Sequence, residues 1–384
     1  VFKFKNKLFG GEPMKKYFVL FLSVLLLFGI ITSNSFSKTI QVPIGALLPM
    51  TGQGAPYGVI FKQAIDLAVS DVNKFEMPKN YRLVIHYMDS QASTSVAVND
   101  FYTLERLYHC PVILSAYTNV SLAAGALGNR YKILIINAGG QGNNLGRAYP
   151  YLINTIPLVE EETKKLAHYL IYDKNFKTAG ILYDNNEGGV SAKDAFIKFF
   201  KQYGGEIVAT EGAKLGSPDF RSPLASIASR HPDVIYLATY GEDTAVIANQ
   251  SKELGIDIPL AENSWSLIPP VINNPNANGM IVTYVNLKGT PKFLSEYKAR
   301  YGSEPQSIYP IAFYNAVQVI AQSLKYMVAR RMEINGENFL KSIHEIKNFT
   351  GAAGKFTIRP DGTVTAPVAI GIIENGKIKT IGNK

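Results

Sequence analysis

The chain has 384 residues, 47% of them hydrophobic and 18% charged, with no polar low-complexity run. That is apolar material for a sizeable core in about two domains, and it excludes a disordered chain. The formal charge of +9 falls to +5 once the five lysines and one glutamate of the first 37 residues are set aside, and no arginine-rich helix or lysine run remains, so nucleic acid is not an expected partner. The single cysteine, Cys110, precedes the apolar run Pro111–Leu114 and reads as a small core residue. It has no partner for an internal disulfide, and no Cys/His cluster has the spacing of a metal site.

The N-terminus reads as an address. Lys15-Lys16, an apolar run from Tyr17 to Ile31, and the small polar stretch Thr32–Ser37 have the charged, apolar and small-residue regions of a secretory signal peptide. The apolar run is shorter than the roughly 20 residues that span a bilayer. The expectation is a signal peptide over residues 14–37, cut after Ser37, with no cysteine nearby to take a lipid, and an uncleaved anchor is the alternative. Residues 1–13, ahead of Met14, read as a leader from a misplaced translation start, with a cloning remnant or a genuine extended n-region as the alternatives.

From Lys38 the pattern alternates. Ile40–Leu48, Tyr81–Met88, Pro111–Ser115 and Ile133–Asn137 read as strands, separated by helices over Gly58–Asn73, Val96–Tyr108 and Leu122–Asn129. Asn154–Glu162, with Pro157 inside it, breaks the rhythm, and the series then restarts. Helices over Glu161–Tyr172, Ser191–Tyr203, Phe220–Ser229 and Asp243–Leu254 alternate with strands at Thr178–Tyr183, Glu206–Thr210, Val234–Ala238, Pro259–Ala261 and Met280–Val285. Two tandem α/β units with parallel sheets and helices on both faces imply two lobes with a cleft between them. Helices over Pro291–Tyr301 and Ile308–Val328 follow, and Lys355–Ile358, Val368–Glu374 and Lys377–Ile381 read as a terminal meander turning at Asp361-Gly362 and Asn375-Gly376.

Ligands of such sheets bind beyond the carboxyl ends of the strands. That points to five loops: Pro49–Tyr57, Ala116–Ser121, Ala138–Gly142, Asp184–Gly189 and Thr239–Asp243. They are rich in Gly, Asn, Thr and Tyr, which bring backbone donors, hydroxyls and flat aromatic walls, though Gly, Asn and Thr are also ordinary turn formers. Gly52-Gln53-Gly54-Ala55-Pro56-Tyr57-Gly58 follows a strand and opens a helix, but its third glycine comes one residue too late for a dinucleotide loop. There is no Gly-x-Ser-x-Gly elbow and the five histidines show no partner pattern, so no catalytic residue and no cofactor are expected. Glu262 stands at the end of a strand, where a carboxylate meets a ligand ammonium or is simply a solvated loop acid. Trp265, the only tryptophan, suits either a cleft wall or core and hinge packing.

Ile44-Gly45-Ala46-Leu47-Leu48-Pro49-Met50-Thr51-Gly52, then Tyr57-Gly58 and the helix through Ala68 and Asn73, together with Gly351-Ala352-Ala353-Gly354-Lys355-Phe356 and Asp361-Gly362 near the end, resemble the type I periplasmic binding proteins. Within them they are similar to the leucine/isoleucine/valine-binding protein family of branched-chain amino-acid ABC transporters. The resemblance covers residues 38–384. It implies two doubly wound α/β lobes joined by a three-crossing hinge, with lobe 1 over 38–155 plus 285–357 and lobe 2 over 156–284 plus 358–384. It also implies a ligand carboxylate on Thr118, further contacts from Gly139 and Gln141, a ligand ammonium on Glu262, and aromatic contacts from Tyr57 and Tyr240, with Tyr314 as a less secure match. Two departures stand out. Gly188 occupies the place of a ligand-covering tyrosine, and Gln141 replaces a small hydroxyl residue, which together suggest a roomier or more polar pocket.

The function implied is capture of a small polar solute in the periplasm by a monomer that closes around it and docks on an ABC permease in the inner membrane. The departures move the expected ligand from a plain branched-chain amino acid towards a polar amino acid, an amide or a small organic acid. The alternatives are a ligand-binding sensory module that feeds a separate receptor, and an exported enzyme, for which the sequence lacks a catalytic constellation.

Overall fold

In the computed structural model, residues 39–381 are described. The expected leader (1–13), signal peptide (14–37) and cleavage after Ser37 lie outside the described residues.

The apolar runs of the first half build one sheet. Strands β1 (Ile40–Leu48), β2 (Tyr81–Asp89), β3 (Val112–Ser115), β4 (Leu134–Asn137) and β5 (Leu152–Asn154) lie in the order β2-β1-β3-β4-β5. The pairs β1–β3, β3–β4 and β4–β5 are parallel. Strands β3 to β5 are buried at every position, as strands covered on both faces must be. The covering helices are α1 (Ala55–Phe75), α2 (Thr94–Arg106) and α3 (Thr118–Tyr131). Helix α1 starts against the end of β1, and a Cβ at Gly58 would lie 2.1 Å from the Pro49 carbonyl oxygen, so only glycine permits this approach.

The second sheet repeats the plan. Strands β6 (Thr178–Asp184), β7 (Glu206–Ala213), β8 (Val234–Ala238), β9 (Leu260–Glu262) and β10 (Ile281–Val285) are joined by β13 (Val368–Glu374) and β14 (Lys377–Ile381) in the order β14-β13-β10-β9-β8-β6-β7. From β7 to β10 the pairs are parallel, and the last two strands run antiparallel. Its helices include α4 (Val159–His168), which continues as a π-helical turn over Tyr169–Asp173, α5 (Glu187–Gln202), α6 (Arg221–Ala228) and α7 (Gly241–Glu253). Helix α5 meets its strand as α1 does, since a Cβ at Gly189 would lie 2.1 Å from the Asp184 carbonyl oxygen.

The chain passes between the sheets three times. It runs from β5 through α4 to β6, then from β10 to α8 (Pro291–Tyr301), α9 (Tyr309–Ala329) and α10 (Gly336–Ile346). The last passage leads from the hairpin β11 (Asn348–Gly351) and β12 (Gly354–Thr357) to β13. Helix α9 returns to the first lobe, where Phe313 stacks on Phe61 of α1 with ring centroids 4.6 Å apart.

Two expectations are corrected. Strand β12 pairs with β11 in a separate hairpin, so the stretch around Lys355 is not part of the terminal meander. Asp361-Gly362 does turn, with Gly362 at φ +74, but within the third passage, where the Gly362 carbonyl accepts from Asn154 N at 2.7 Å. Short elements also escaped the pattern: β5 has three residues, too few to show a period, and α10 and β11 were not anticipated.

Candidate functional site

The loops at the carboxyl ends of both sheets meet face to face. From the first lobe come Tyr57 at the start of α1, Tyr117 and Thr118 at the start of α3, and the Gly139–Gln141 turn after β4. From the second come Asp184 and Gly188, the Tyr240–Glu242 turn, and Glu262 to Trp265. Tyr57 joins the two: its hydroxyl donates to the Trp265 carbonyl and accepts from Gly241 N, both at 2.7 Å. Asn143 N donates to Ser191 Oγ at 2.9 Å across the same divide.

Aromatic rings fill the space between. Tyr240 lies between Tyr117 and Trp265, with centroids at 4.6 Å (26°) and 5.0 Å (9°). Tyr57 stands edge-on to Tyr117, Tyr240 and Tyr309 at 6.0, 6.3 and 5.7 Å. The exposures of Tyr57, Tyr117, Tyr240 and Trp265 are only 1%, 3%, 6% and 2%, so these rings are closed off from solvent. Tyr117 holds φ +64, a backbone region that bulky residues rarely enter, and local strain of this kind clusters at functional sites.

Thr118 is fully buried and its Oγ1 accepts from Gly142 N at 3.1 Å. A Cβ at Gly188 would lie 2.5 Å from the Tyr240 hydroxyl and 3.4 Å from Thr118 Oγ1. The missing aromatic at position 188 therefore leaves no gap, because Tyr240 from the neighbouring loop occupies it. Gln141 does not open the pocket either. Its Nε2 donates to the Pro157 carbonyl (3.1 Å) and Glu162 Oε1 (2.8 Å), and its Oε1 accepts from Trp265 Nε1 at 2.8 Å. Gly139 sits against Ala116 and Phe61, where a Cβ would come within 2.9 and 3.1 Å. Tyr314 is elsewhere: its hydroxyl donates to Asp71 Oδ2 at 2.7 Å between α9 and α1. Tyr309, near the start of the same helix, is the residue that faces Tyr57.

Two buried glutamates differ in their surroundings. Glu162, in the first turn of α4, is fully satisfied: Oε1 accepts from Gln141 Nε2 and Ser264 Oγ, and Oε2 from Ser264 N and Thr283 Oγ1, all within 2.7–2.8 Å. It ties the first passage to both lobes. Glu262 ends the central strand β9, so it is no solvated loop acid. One oxygen accepts from Thr244 Oγ1 at 2.8 Å and the other has no partner. Burial pushes its carboxyl well above the ordinary value, against the Thr244 hydrogen bond and with help from the charges of Asp184 and Glu162. Burial and the neighbouring Asp243 likewise raise Asp184 well above its ordinary value, while Tyr240 N donates to its Oδ2 at 2.8 Å. Glu242, at the start of α7, has no partner for either oxygen, and burial, then Asp243, push it up to about 7.

The five loops named from the sequence thus converge, and Tyr57, Thr118, Gly139, Gln141, Tyr240 and Glu262 lie in or around the seam between the lobes. Sequence reasoning did not single out Tyr117, Asp184 and Glu242, although all three lie in those loops. Glu162 and Tyr309 carried no signal at all, because each acts through partners far away in the chain. Among the described residues no group of three or more His, Cys, Asp or Glu is placed to hold a metal ion.

Two parallel-sheet lobes, three passages between them and a seam at the strand ends define a two-lobed binding protein of type I architecture. A family model described as periplasmic binding protein matches residues 41–377, and the chain belongs to that family. It is 25% identical over 319 residues to the Leu/Ile/Val-binding protein homolog 8 of Brucella suis, covering 77% of this chain and 79% of that one. Its fold is similar to that of a leucine binding protein from Thermotoga maritima, with TM-score 0.80, 21% identity, and coverage of 89% of this chain and 98% of that one. An ABC transporter solute-binding protein of R. palustris, solved in complex with benzoate, is similar to the same degree, with TM-score 0.80, 18% identity, and coverage of 89% and 96%.

Proposed function

We propose that this chain is an exported solute-binding protein that captures a small ligand carrying an ammonium group, an amino acid or a relative of one, and delivers it to an ABC permease. The lobes, 38–155 plus 285–357 and 156–284 plus 358–384, close on the ligand by bending at the three passages. The observation that carries the reading is Glu262, a fully buried carboxyl at the seam with one oxygen unpartnered. A buried acceptor without a partner costs stability unless something supplies the donor, and a ligand ammonium does. In this reading Thr118, on the first lobe's side of the seam, meets the ligand's other end. Family membership supports the periplasmic location, and the signal-peptide pattern of residues 14–37 supports export.

The test is a thermal-shift screen over amino acids, amides, amines and organic acids, followed by calorimetric titration of the best ligand. Glu262→Gln should weaken an ammonium ligand by roughly thirtyfold or more, from a loss of at least about 2 kcal/mol when a buried charge-assisted contact is broken. Unchanged binding by Glu262→Gln would remove Glu262 from the site. A tight acid ligand without an amine would overturn the ammonium reading.

A further inference from the structure

The two sides of the seam differ in polarity. The first lobe brings Tyr57, Tyr117, Thr118, Gly139 and Gln141, none of them an acid. Helix α3 begins there at Thr118 with no side chain capping its first N–H groups, so this side suits a carboxylate. The second lobe brings four acids, Asp184, Glu242, Asp243 and Glu262. Among the described residues no lysine, arginine or histidine is buried, so no basic side chain is enclosed to neutralise them.

Three of the four acids are accounted for. Asp184 and Asp243 hydrogen-bond to each other through a proton held between them, and they also accept from Tyr240 N and Gly216 N, both at 2.8 Å. Glu262 has one free oxygen, which the ligand ammonium takes. Glu242 is left over. Both of its oxygens are enclosed and unpartnered. It stands in the first turn of α7, where the helix dipole favours an acid. That role requires no burial, and enclosing two unpartnered carboxyl oxygens costs stability unless a donor arrives. Glu242 lies beside the seam: the N–H of its neighbour Gly241 donates to the Tyr57 hydroxyl, and its own charge reaches Tyr57 and Tyr117 of the opposite lobe.

A neutral α-amino acid brings one ammonium and one carboxylate. These serve Glu262 and Thr118 and leave Glu242 unmatched. We propose that the captured solute carries a second cation on its side chain, an ammonium or guanidinium group that pairs with Glu242, so that the ligand class is the basic amino acids. The inference rests on the ammonium reading and adds the chemistry of the ligand's side chain. A guanidinium fork matches a carboxylate with two free oxygens, and an ammonium meets it as a point charge. The Tyr57 and Tyr117 rings nearby suit the methylene stem that carries either group.

The experiment is calorimetric titration of two matched pairs. Lysine is compared with norleucine, which lacks only the side-chain ammonium, and arginine with citrulline, whose neutral urea replaces the guanidinium. In at least one pair the cationic member should bind roughly tenfold more tightly or better, and Glu242→Gln should shrink that preference at least about fivefold. A purely structural Glu242 would weaken both members alike and leave the preference intact. A preference below tenfold in both pairs, or one that Glu242→Gln leaves undiminished, overturns the proposal. If leucine or another neutral amino acid then binds through Glu262, the ammonium reading stands without it. No response from any of the four, with none in the broader thermal-shift screen, overturns both.

Discussion

Tyr57→Phe removes one oxygen from the contact between the lobes. That hydroxyl donates to the Trp265 carbonyl and accepts from Gly241 N, each at 2.7 Å, and Tyr57 is only 1% exposed. The phenylalanine ring keeps its neighbours Phe61 and Tyr309, at 6.1 and 5.7 Å, so the first lobe should fold normally. In the closed form a backbone carbonyl and a backbone N–H are then buried against carbon, at about 1–3 kcal/mol each, whereas in an open form water satisfies both. Even the low end, about 2 kcal/mol for the two, disfavours closure roughly thirtyfold. Because the ligand is held by the closed form, its apparent affinity should fall by a comparable factor. Calorimetry measures the affinity, and small-angle scattering with and without ligand measures closure. Tyr314→Phe is the control. It loses a hydrogen bond to Asp71 within the first lobe and should leave affinity and closure unchanged. If Tyr57→Phe binds within twofold of the parent and closes as readily, the Tyr57 hydroxyl does not hold the lobes together and the argument fails.

Glu242 should make the protein pH-sensitive. A carboxyl raised from 4.5 to about 7 by folding keeps its proton in the folded state after the unfolded chain has lost it, so stability falls as pH rises from below 4.5 to above 7. The full effect is about 3 kcal/mol. Glu242→Gln should therefore gain on the parent between pH 5 and pH 8 in urea titrations, and a gap that does not widen with pH refutes this. Gly188→Ala places a methyl group 2.5 Å from the Tyr240 hydroxyl and should tilt that ring off Trp265, seen as a change in tryptophan emission without loss of helical circular dichroism. Glu162→Gln puts an NH2 group among four donors, and the buried mismatch should destabilise the protein by about 2–4 kcal/mol in the same urea titrations.

Local pattern alone determined the repeating strands and helices. Val234–Ala238 is five apolar residues in a row, buried at every position as a strand covered on both faces is, and it folds as read. The five loops were legible for the same reason, since the carboxyl ends of parallel strands are where backbone and side chains are left uncovered. The amphipathic period of α9 marked a helix, but not which of its tyrosines faces the cleft: Tyr309 meets Tyr57, and Tyr314 meets Asp71. Only the tertiary structure decided that, because it depends on how α9 docks on α1 after the second passage. Glu162 shows the limit most clearly. In the sequence it is one acid among Glu160, Glu161 and Glu162 at the start of a helix, and its partners Ser264 and Thr283 lie 102 and 121 residues away. That Glu262 meets the Thr244 hydroxyl and not water is likewise settled by its burial in the folded chain. Periodicity reports which face of an element is covered, whereas the charge state and partners of a buried acid follow from the segments, distant in sequence, that close over it.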